Sequence, residues 1–265
     1  MQREIITSLQ NEKIKNAVLL REKSRERSRQ MLFPVEGKRE INMAVSAGYE
    51  VETLFVCPES GGKNDFACNH VYEVSGKVFE KIACREDSDG LLALMKMKTR
   101  SLHDINLSPA PFIIVLEAVE KPGNLGAILR TADAANVDAV IVCDPKSDLF
   151  NPNVIRSSLG CVFTVNTVTC TSEQTFEWLK KNDITVYAAE LESSQWYYNE
   201  DYTKSSAIVV GTESTGLSDF WLRKADKRIK IPMKGKADSL NVSVSTAIIT
   251  FEAMRQRCLS TNFIH

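Results

Sequence analysis

The amino-acid sequence predicts an α/β protein whose C-terminal part is built on a parallel β-sheet. Short runs of almost continuous apolar residues alternate there with helix-like segments, which is the pattern of parallel strands buried on both faces. The chain has 265 residues, a length that is comfortable for two domains. The polar segment 98–111 contains two prolines, so neither a strand nor a helix is expected to continue through it. We therefore predict domains of residues 1–104 and 105–265, the second able to fold without the first.

Each strand of the C-terminal part is predicted from its own apolar run. The predicted strands are 112–116, 139–143, 161–165, 185–189, 207–211 and 228–231. The predicted helices are 125–136, 152–158, 173–182, 217–224 and 242–257. In the last helix, apolar residues at helical spacing share one face, and they are Val244, Ala247, Ile248, Phe251 and Met254. We expect that face to lie in the core or at a dimer interface.

The N-terminal part is predicted to be a small α/β unit that starts with a basic helical segment. Residues 3–29 contain eight Lys or Arg residues and four Glu residues. Arg21, Arg25 and Arg29 recur every four residues, so they are expected to share one helix face. Such a face fits phosphate contacts in a nucleic-acid-binding protein, whereas the glutamates between the arginines also fit a solvated face. The segments that follow are predicted as helix 37–47, strand 52–57, strand 71–74, helix 75–83 and strand 90–97.

Composition and charge limit the classes of function. Hydrophobic residues make up 43% of the chain and charged residues 25%, the profile of a soluble globular protein. The formal net charge is −1, so any affinity for nucleic acid must come from local patches. No apolar stretch approaches about eighteen residues, and the N-terminus has no signal-peptide core. A cytoplasmic protein without membrane contact is therefore expected.

Cysteine and histidine are not arranged as a metal site. The seven cysteines include no CxxC pair and lie inside apolar runs, which predicts buried, reduced thiols. The histidines, His70, His103 and His265, lie near no cluster of Cys or carboxylate residues with ligand spacing. We therefore predict no bound metal.

Unusual residues follow four of the predicted strands. In an open parallel sheet, ligands bind beyond the carboxyl ends of the strands. Glycine, asparagine, serine and acidic residues are concentrated at those ends, in the segments KPGNLGAILR, AAELESS, VVGTESTGLS and IPMKGKADSLNVSVS. The signatures GxGxxG after the first strand, GxxxxGK(S/T) and GxSxG do not occur. An ordinary dinucleotide-binding enzyme is therefore disfavoured.

Three segments of the C-terminal part resemble the three motifs of the SpoU (TrmH-type) RNA ribose methyltransferases of the SPOUT superfamily. In chain order these segments are NLGAILRTADAANVDAVIV, IVVGTESTGLS and IKIPMKGKADSLNVSVSTAIITFEAMRQ. The segment NPNVIRSSLGCVFTV is similar to the family's link between its first two motifs. The segment FPVEGKREINMAVSAGYEVETLFV is similar to the small substrate-binding domain of many members, whose fold is like that of a ribosomal protein. One departure is Thr212, where the family more often has Asn, Ser or Ala.

The resemblance implies a C-terminal SPOUT domain with a trefoil knot that binds S-adenosylmethionine and works as a homodimer. The implied reaction is methyl transfer to a ribose 2′-hydroxyl of RNA. Ribosomal RNA is the expected substrate, because tRNA-specific relatives often lack the N-terminal domain. The matched catalytic positions are Asn124, Arg130, Glu213, Ser239 and Asn241. The matched positions whose backbone groups hold the cofactor are Gly211, Ile231 and Leu240.

Arg130 has two possible roles. It is either a helix residue exposed to solvent or paired with Asp133 or Glu117, or a guanidinium that stabilises a developing alkoxide and binds the adjoining phosphate. An arginine base is disfavoured, because arginine stays protonated in proteins.

The other matched positions also have structural alternatives. Asn124 fits a turn, and Glu213 fits the N-terminal end of a helix. Ser239 and Asn241 precede a predicted helix, so either fits a helix cap. Gly211 lacks a side chain, and we expect its backbone to approach the adenine of the cofactor closely. A rival hypothesis, an RNA-binding protein that has lost catalysis, is disfavoured because all the matched catalytic positions are intact.

Overall fold

The computed structural model describes residues 4–85, 88–193 and 195–260. By their contacts, these residues divide into two compact units. The first unit is drawn from Met1–Thr99 and Asp148–Thr164, and the second from Arg100–Ser147 and Val165–His265. A domain boundary between residues 104 and 105 stays a prediction.

The helices and strands are numbered in chain order. The strands are β1 (Glu4–Ile6), β2 (Leu32–Glu36), β3 (Val51–Val56), β4 (Cys68–Val74), β5 (Leu91–Lys96), β6 (Phe112–Glu117), β7 (Ala139–Cys143), β8 (Thr167–Cys170), β9 (Thr185–Ala189), β10 (Gln195–Trp196), β11 (Ser206–Val210) and β12 (Lys227–Lys230). The helices are α1 (Glu12–Glu22), α2 (Ser24–Gln30), α3 (Lys38–Ser46), α4 (Gly76–Ile82), α5 (Pro122–Ala134), α6 (Pro152–Ser157), α7 (Cys161–Thr164), α8 (Ser172–Lys181), α9 (Asp219–Lys224) and α10 (Val242–Ser260). Most predicted elements agree with these bounds to within two residues.

The second unit contains a parallel sheet. Its strands lie in the order β10-β12-β9-β11-β6-β7-β8, and every neighbouring pair is parallel. All residues of β6, β7 and β11 are buried. Burial on both faces explains why these strands are continuously apolar rather than alternating. The predicted α/β architecture with a parallel sheet is therefore confirmed.

The order of the strands creates a crevice. Strands β6 and β11 are neighbours in the sheet, with Leu116 opposite Val210. From β6 the chain continues to β7 and β8 on one side, whereas β9, β12 and β10 lie on the far side of β11. Ligands bind at such points, outside the carboxyl ends of the strands.

The first unit contains a mixed sheet in the order β1-β4-β3-β5-β2. Strands β1, β4 and β3 are parallel, and β5 is antiparallel to both of its neighbours. Helices α1 and α4 cover a hydrophobic core that includes Ile14, Leu20, Phe55 and Phe79. Neither β1 nor β2 is predicted from the sequence.

The predicted strand 161–165 is wrong. Residues 161–164 form the short helix α7, and the strand of this region is β8. Leu159 and Gly160 both have positive φ angles, of 53° and 86°, so the chain reverses there and the amide of Phe163 donates to the carbonyl of Gly160. A short apolar run is buried equally well as helix or strand, so its composition did not decide between the two.

The basic segment is not one continuous helix. Lys23 has an extended backbone conformation, and it separates α1 from α2. Arg27 is 2% exposed, because its guanidinium donates to the carbonyl of Leu20 and to the carboxylate of Asp148 over 2.6 Å each. Arg27 is therefore a structural residue, and phosphate contact in this segment is a prediction only for exposed cations such as Arg25.

The apolar face predicted on α10 does not lie in the core. Val244 is 45% exposed and Phe251 is 47% exposed. The buried face of α10 is a different one, formed by Val242, Thr246, Ile249, Thr250 and Ala253. The core alternative is therefore wrong, and a dimer interface stays a prediction.

The cysteines are less uniformly buried than predicted. All seven are free, but only Cys57, Cys143 and Cys161 are buried, and Cys258 is exposed. Across the described ranges, no group of three or more His, Cys, Asp or Glu side chains is arranged to hold a metal ion. None of the helices in the described part of the chain combines the length and the apolar character needed to span a bilayer.

An aromatic cluster ties the segment 148–164 into the first unit. The ring centroids of Phe33 and Phe150 lie 4.3 Å apart, and those of Tyr49 and Phe163 lie 5.2 Å apart. Phe33 and Phe163 are fully buried. Close aromatic pairs of this kind contribute stability beyond the area that they bury.

We expect a chain that starts at Ile105 to expose Phe150 and Phe163, because it lacks Phe33 and Tyr49. It should bind a dye specific for exposed hydrophobic surface, which the whole chain should not. A truncated chain with both phenylalanines changed to serine should bind less dye, and serves as the matched control. A truncated chain that binds no dye and unfolds at the temperature of the whole chain would show that residues 105–265 fold independently.

Candidate active site

Three loops meet at the carboxyl edge of the parallel sheet. The first follows β6 and contains Asn124 in the first turn of α5. The second follows β11 and contains Glu213, and the third ends with Asn241 just before α10. Because β6 and β11 are neighbours, their carboxyl ends bring residues that are 89 positions apart into contact.

The side chain of Glu213 joins these loops. Its Oε1 accepts from Asn124 Nδ2 at 3.0 Å and from Asn241 Nδ2 at 2.5 Å. Asn241 Nδ2 also donates to Asn124 Oδ1 at 3.1 Å. Lys121 Nζ donates to Glu213 Oε2. Three of the five predicted catalytic residues, Asn124, Glu213 and Asn241, are therefore in direct contact.

The donors around Glu213 favour its ionised form. The hydrogen bond from Lys121, followed by that from Asn124, holds the pKa of the Glu213 carboxyl below its ordinary value. The same contact raises the pKa of the Lys121 ammonium. Both groups are therefore charged near neutral pH. Glu213 is then a poor proton acceptor, because its lone pairs are already engaged.

Lys121 was missed by the sequence analysis as a site residue. It is the residue before the Pro-Gly pair that starts α5, and it is exposed apart from its contact with Glu213. Its position in the KPGN turn was the one available signal of a role in the site, because a lysine in this turn faces the loop after β11.

The loop after β11 is closed by its own backbone. The amide of Thr212 donates to the carbonyl of Gly216, and the amide of Gly216 donates back to the carbonyl of Thr212, each at 3.1 Å. Gly216 has a φ angle of 67°, which favours glycine. Thr212 Oγ1 also accepts from the amide of Thr215 at 3.0 Å. The side chain of Thr212 therefore stabilises the loop, although the family more often has another residue at this position.

The structure gives a second reason for glycine at 211. A Cβ atom there would lie 2.1 Å from the carbonyl oxygen of Gly216 and 2.5 Å from the amide nitrogen of Leu217. Real Cβ atoms do not approach backbone so closely, so any side chain at 211 would displace the loop. Close approach of the backbone to a cofactor, the reason expected from the sequence, is therefore not needed to explain glycine at this position.

A cavity of about 480 Å³ opens beside Glu213. Its apolar lining includes Leu217, Leu222, Ile229, Val242 and Ile249. The three predicted cofactor positions, Gly211, Ile231 and Leu240, all line it, as do the catalytic candidates Glu213 and Ser239. A volume of this size, mostly apolar with a few polar groups, is typical of sites for small molecules.

Of the two candidates for the cap of α10, Ser239 and Asn241, the one that caps the helix is Asn241. Its Oδ1 accepts from the amide of Ser243 at 2.9 Å and from the hydroxyl of Ser243 at 2.6 Å. Ser239 is exposed at the cavity, and no hydrogen bond of its side chain to another described residue is present. The capping alternative is therefore confirmed for Asn241 and not for Ser239.

Arg130 lies apart from the cluster. It follows Asn124 by six residues on α5, which places it about 9 Å further along the helix axis and about 120° around it. Its side chain is exposed and does not line the cavity. Within the described residues it forms no ion pair, and Glu117 instead accepts from the amide and the hydroxyl of Ser218 at 2.8 and 2.5 Å. The alternative in which Arg130 pairs with Glu117 is therefore wrong.

The residues around the cavity fit S-adenosylmethionine. The apolar lining suits an adenine ring, and the backbone at Gly211, Ile231 and Leu240 can bond its polar edge. The carboxylate of Glu190 also lines the cavity. Its buried Oε1 forms an ion pair with Arg228 Nε at 3.3 Å and accepts no hydrogen bond within the described residues.

Known proteins identify the class to which this fold and site belong. A model of the SpoU rRNA methylase family matches residues 111–251, and a model of the MRM3-like substrate binding domain matches residues 11–93. The chain belongs to the SpoU rRNA methylase family.

Relatives match the chain over nearly its whole length. The 23S rRNA (guanosine(2553)-2′-O)-methyltransferase RlmP of Bacillus subtilis (strain 168) is 30% identical over 247 residues, which cover 93% of this chain and 97% of the relative. A crystal structure of an RNA 2′-O ribose methyltransferase is 40% identical, with a TM-score of 0.83 and coverage of 96% and 99%. The structure of an AdoMet-bound rRNA methyltransferase from Sinorhizobium meliloti is 30% identical, with a TM-score of 0.87 and coverage of 96% and 98%.

We expect Glu213→Gln to weaken binding of S-adenosylmethionine at least ~10-fold, because a neutral amide leaves donors of the cluster without an acceptor. Isothermal titration calorimetry measures the affinity. Glu192→Gln is the matched control, because Glu192 lines the same cavity but lies outside the cluster. It should bind within about twofold of wild type. Equal affinities for the two variants would contradict a role of the cluster in building the cavity wall.

Proposed function

We propose that the protein transfers a methyl group from S-adenosylmethionine to the 2′-hydroxyl of a ribose in RNA, and that this RNA is ribosomal. The observation that carries the proposal is the contact of Asn124, Glu213 and Asn241 beside a cavity of about 480 Å³. Membership of the SpoU rRNA methylase family and the names of the relatives support the substrate class.

The cofactor, when bound, supplies an electrophilic methyl group on its sulfonium. The protein must therefore bind it, align the ribose hydroxyl with it and manage one proton. The backbone at Gly211, Ile231 and Leu240 holds the adenosine, and Ser239 contacts either the cofactor or the ribose. Glu213 has a positioning role, because its ionised carboxylate holds Asn124 and Asn241 in place.

Arg130 stabilises the alkoxide that develops on the ribose and binds the adjoining phosphate. A guanidinium suits both tasks because it stays charged and presents a planar fork of donors. Its place on α5, outside the cluster of its own chain, supports action on substrate bound at the cavity of a second copy.

The proposed dimer uses the exposed apolar face of α10. Val244 and Phe251 are large apolar side chains that are almost half exposed, and Ala247, Ile248 and Met254 continue the same face. An apolar helix face of this kind is typical of an interface. Helices α5 and α10 pack against each other, so Arg130 lies on the helix next to the one that carries this face.

Three further features belong to the proposal. The C-terminal domain is knotted, which the insertion of β12 between β9 and β10 supports. The N-terminal domain has a fold like that of a ribosomal protein and binds the RNA substrate, which the match to a substrate-binding domain supports. The protein acts in the cytoplasm.

Label transfer tests the function and the role of Arg130 together. Wild-type protein should transfer tritium from labelled S-adenosylmethionine to ribosomal RNA from cells that lack the protein. Arg130→Ala should lower the turnover at least ~100-fold, the scale of losing one electrostatic stabiliser, while the cofactor affinity stays unchanged. Arg130→Lys keeps the charge but loses the fork, so it should restore part of the rate. Binding of RNA without any methyl transfer by wild type would favour the rival, a catalytically inactive RNA-binding protein.

Mixed dimers test whether Arg130 acts on the partner's site. Chains with Arg130→Ala and chains with Asn241→Ala should each be inactive as homodimers. After co-expression, half of the dimers are mixed, and each mixed dimer has one complete site if Arg130 acts across the interface. The mixture should then recover about one quarter of wild-type activity. No recovery would show that Arg130 acts within its own chain.

A further inference from the structure

An aromatic pair lies beside the cavity at the edge of the parallel sheet. Trp196 is the last residue of β10, and it is in register with Lys230, the last residue of β12. The two strands are parallel, so both residues lie at the carboxyl edge, about 4.8 Å apart along the sheet. Lys230 also lines the cavity. Trp196 is therefore one strand away from the proposed cofactor site.

The two rings of the pair are nearly parallel. The centroids of Trp196 and Tyr198 lie 6.4 Å apart, with an angle of 19° between the ring planes. Tyr198 is 46% exposed, and Trp196 is half-buried. The turn that carries them is anchored, because the hydroxyl of the fully buried Tyr202 donates to the carbonyl of Tyr197 at 2.8 Å. The pair is thus presented to solvent on a fixed support.

A lysine that has no ion-pair partner among the described residues lies over the ring of Trp196. Lys230 Nζ lies 4.9 Å from the centroid of the Trp196 ring, within cation–π range. The other cations of β12 are engaged, Lys227 with Glu200 and Arg228 with Glu190. Lys230 forms no salt bridge within the described part of the chain, so its charge is available to an incoming anion.

We infer that Trp196, Tyr198 and Lys230 form a stacking surface for an unpaired base of the RNA substrate, next to the nucleotide that is methylated. Exposed aromatic rings bind bases by stacking, and a neighbouring lysine neutralises the phosphate of the same nucleotide. The surface is continuous with the cavity through Lys230. The inference rests on the proposed function, because it assigns a contact to the RNA of that reaction.

The stacking surface predicts a preference for unpaired RNA. Bases in a duplex are already stacked on each other and do not present their faces to a protein. Trp196 does not line the cavity, so its removal is not expected to change binding of the cofactor.

The test compares the affinities of an unpaired RNA oligonucleotide and of a duplex of the same length, measured by fluorescence anisotropy at one fixed salt concentration. Trp196→Ala and Tyr198→Ala should each weaken binding of the unpaired RNA at least ~5-fold, the lower end of the loss of one stacked base. Trp196→Phe keeps a ring, and as the matched control it should bind within about twofold of wild type. Affinity for the duplex, affinity for S-adenosylmethionine and the unfolding temperature should not change in any variant.

The outcomes separate this inference from the proposed function. If wild type methylates RNA while both alanine variants bind unpaired RNA as wild type does, the stacking surface is refuted and the function stands. If the alanine variants lose affinity for unpaired RNA although wild type transfers no methyl group, the surface stands and the function is refuted. If wild type binds no unpaired RNA, or if Trp196→Ala changes only the oligomeric state in sedimentation, the surface is refuted as well.

Discussion

The carboxylate of Glu213 is the point on which the site depends. It is the shared acceptor for donors from two loops that are far apart in sequence, with Lys121 and Asn124 at the start of α5 and Asn241 before α10. A carboxylate offers about four lone-pair sites, so it can accept from all three donors at once. Each loop therefore owes its position to the same charge, and the wall of the cavity is fixed without a metal or a disulfide in the described residues.

The parallel sheet makes this convergence possible. Strands β6 and β11 are buried on both faces and held in register, so the loops that leave their carboxyl ends start from fixed positions. The absence of a side chain at Gly211 lets Gly216 lie close to it, and the two backbone hydrogen bonds between Thr212 and Gly216 keep the loop after β11 compact. The residues of the Glu213 cluster lie at the edge of a rigid sheet, and the side chains of Arg130 and Tyr198 are exposed.

The strands of the parallel sheet were predicted well, because a series of continuous apolar runs separated by helices is typical of parallel strands that are buried on both faces. The prediction failed at 161–165, where the backbone reversal at Gly160 turned a strand-like run into a helix. Nor does the sequence reveal that Arg27 is buried, because its partner Asp148 is 121 positions away and no local pattern spans that separation. The site residues were recognised only through resemblance to a family, since the contacts of Asn241 span 117 positions. Lys121 was missed because its partner, Glu213, is also far from it in the sequence.

The most direct test of this account is the titration of the Glu213 carboxyl carbon by NMR, assigned with the Glu213→Gln variant. A carboxyl whose folded-state pKa is depressed stabilises the fold fully above its unfolded pKa of about 4.3, and this contribution is lost as the pH falls through the folded pKa. We expect a pKa below that ordinary value and no titration of Glu213 between pH 5 and pH 8. A pKa at or above the ordinary value would show that Glu213 is not the ionised centre of the cluster, and that it is free to accept a proton.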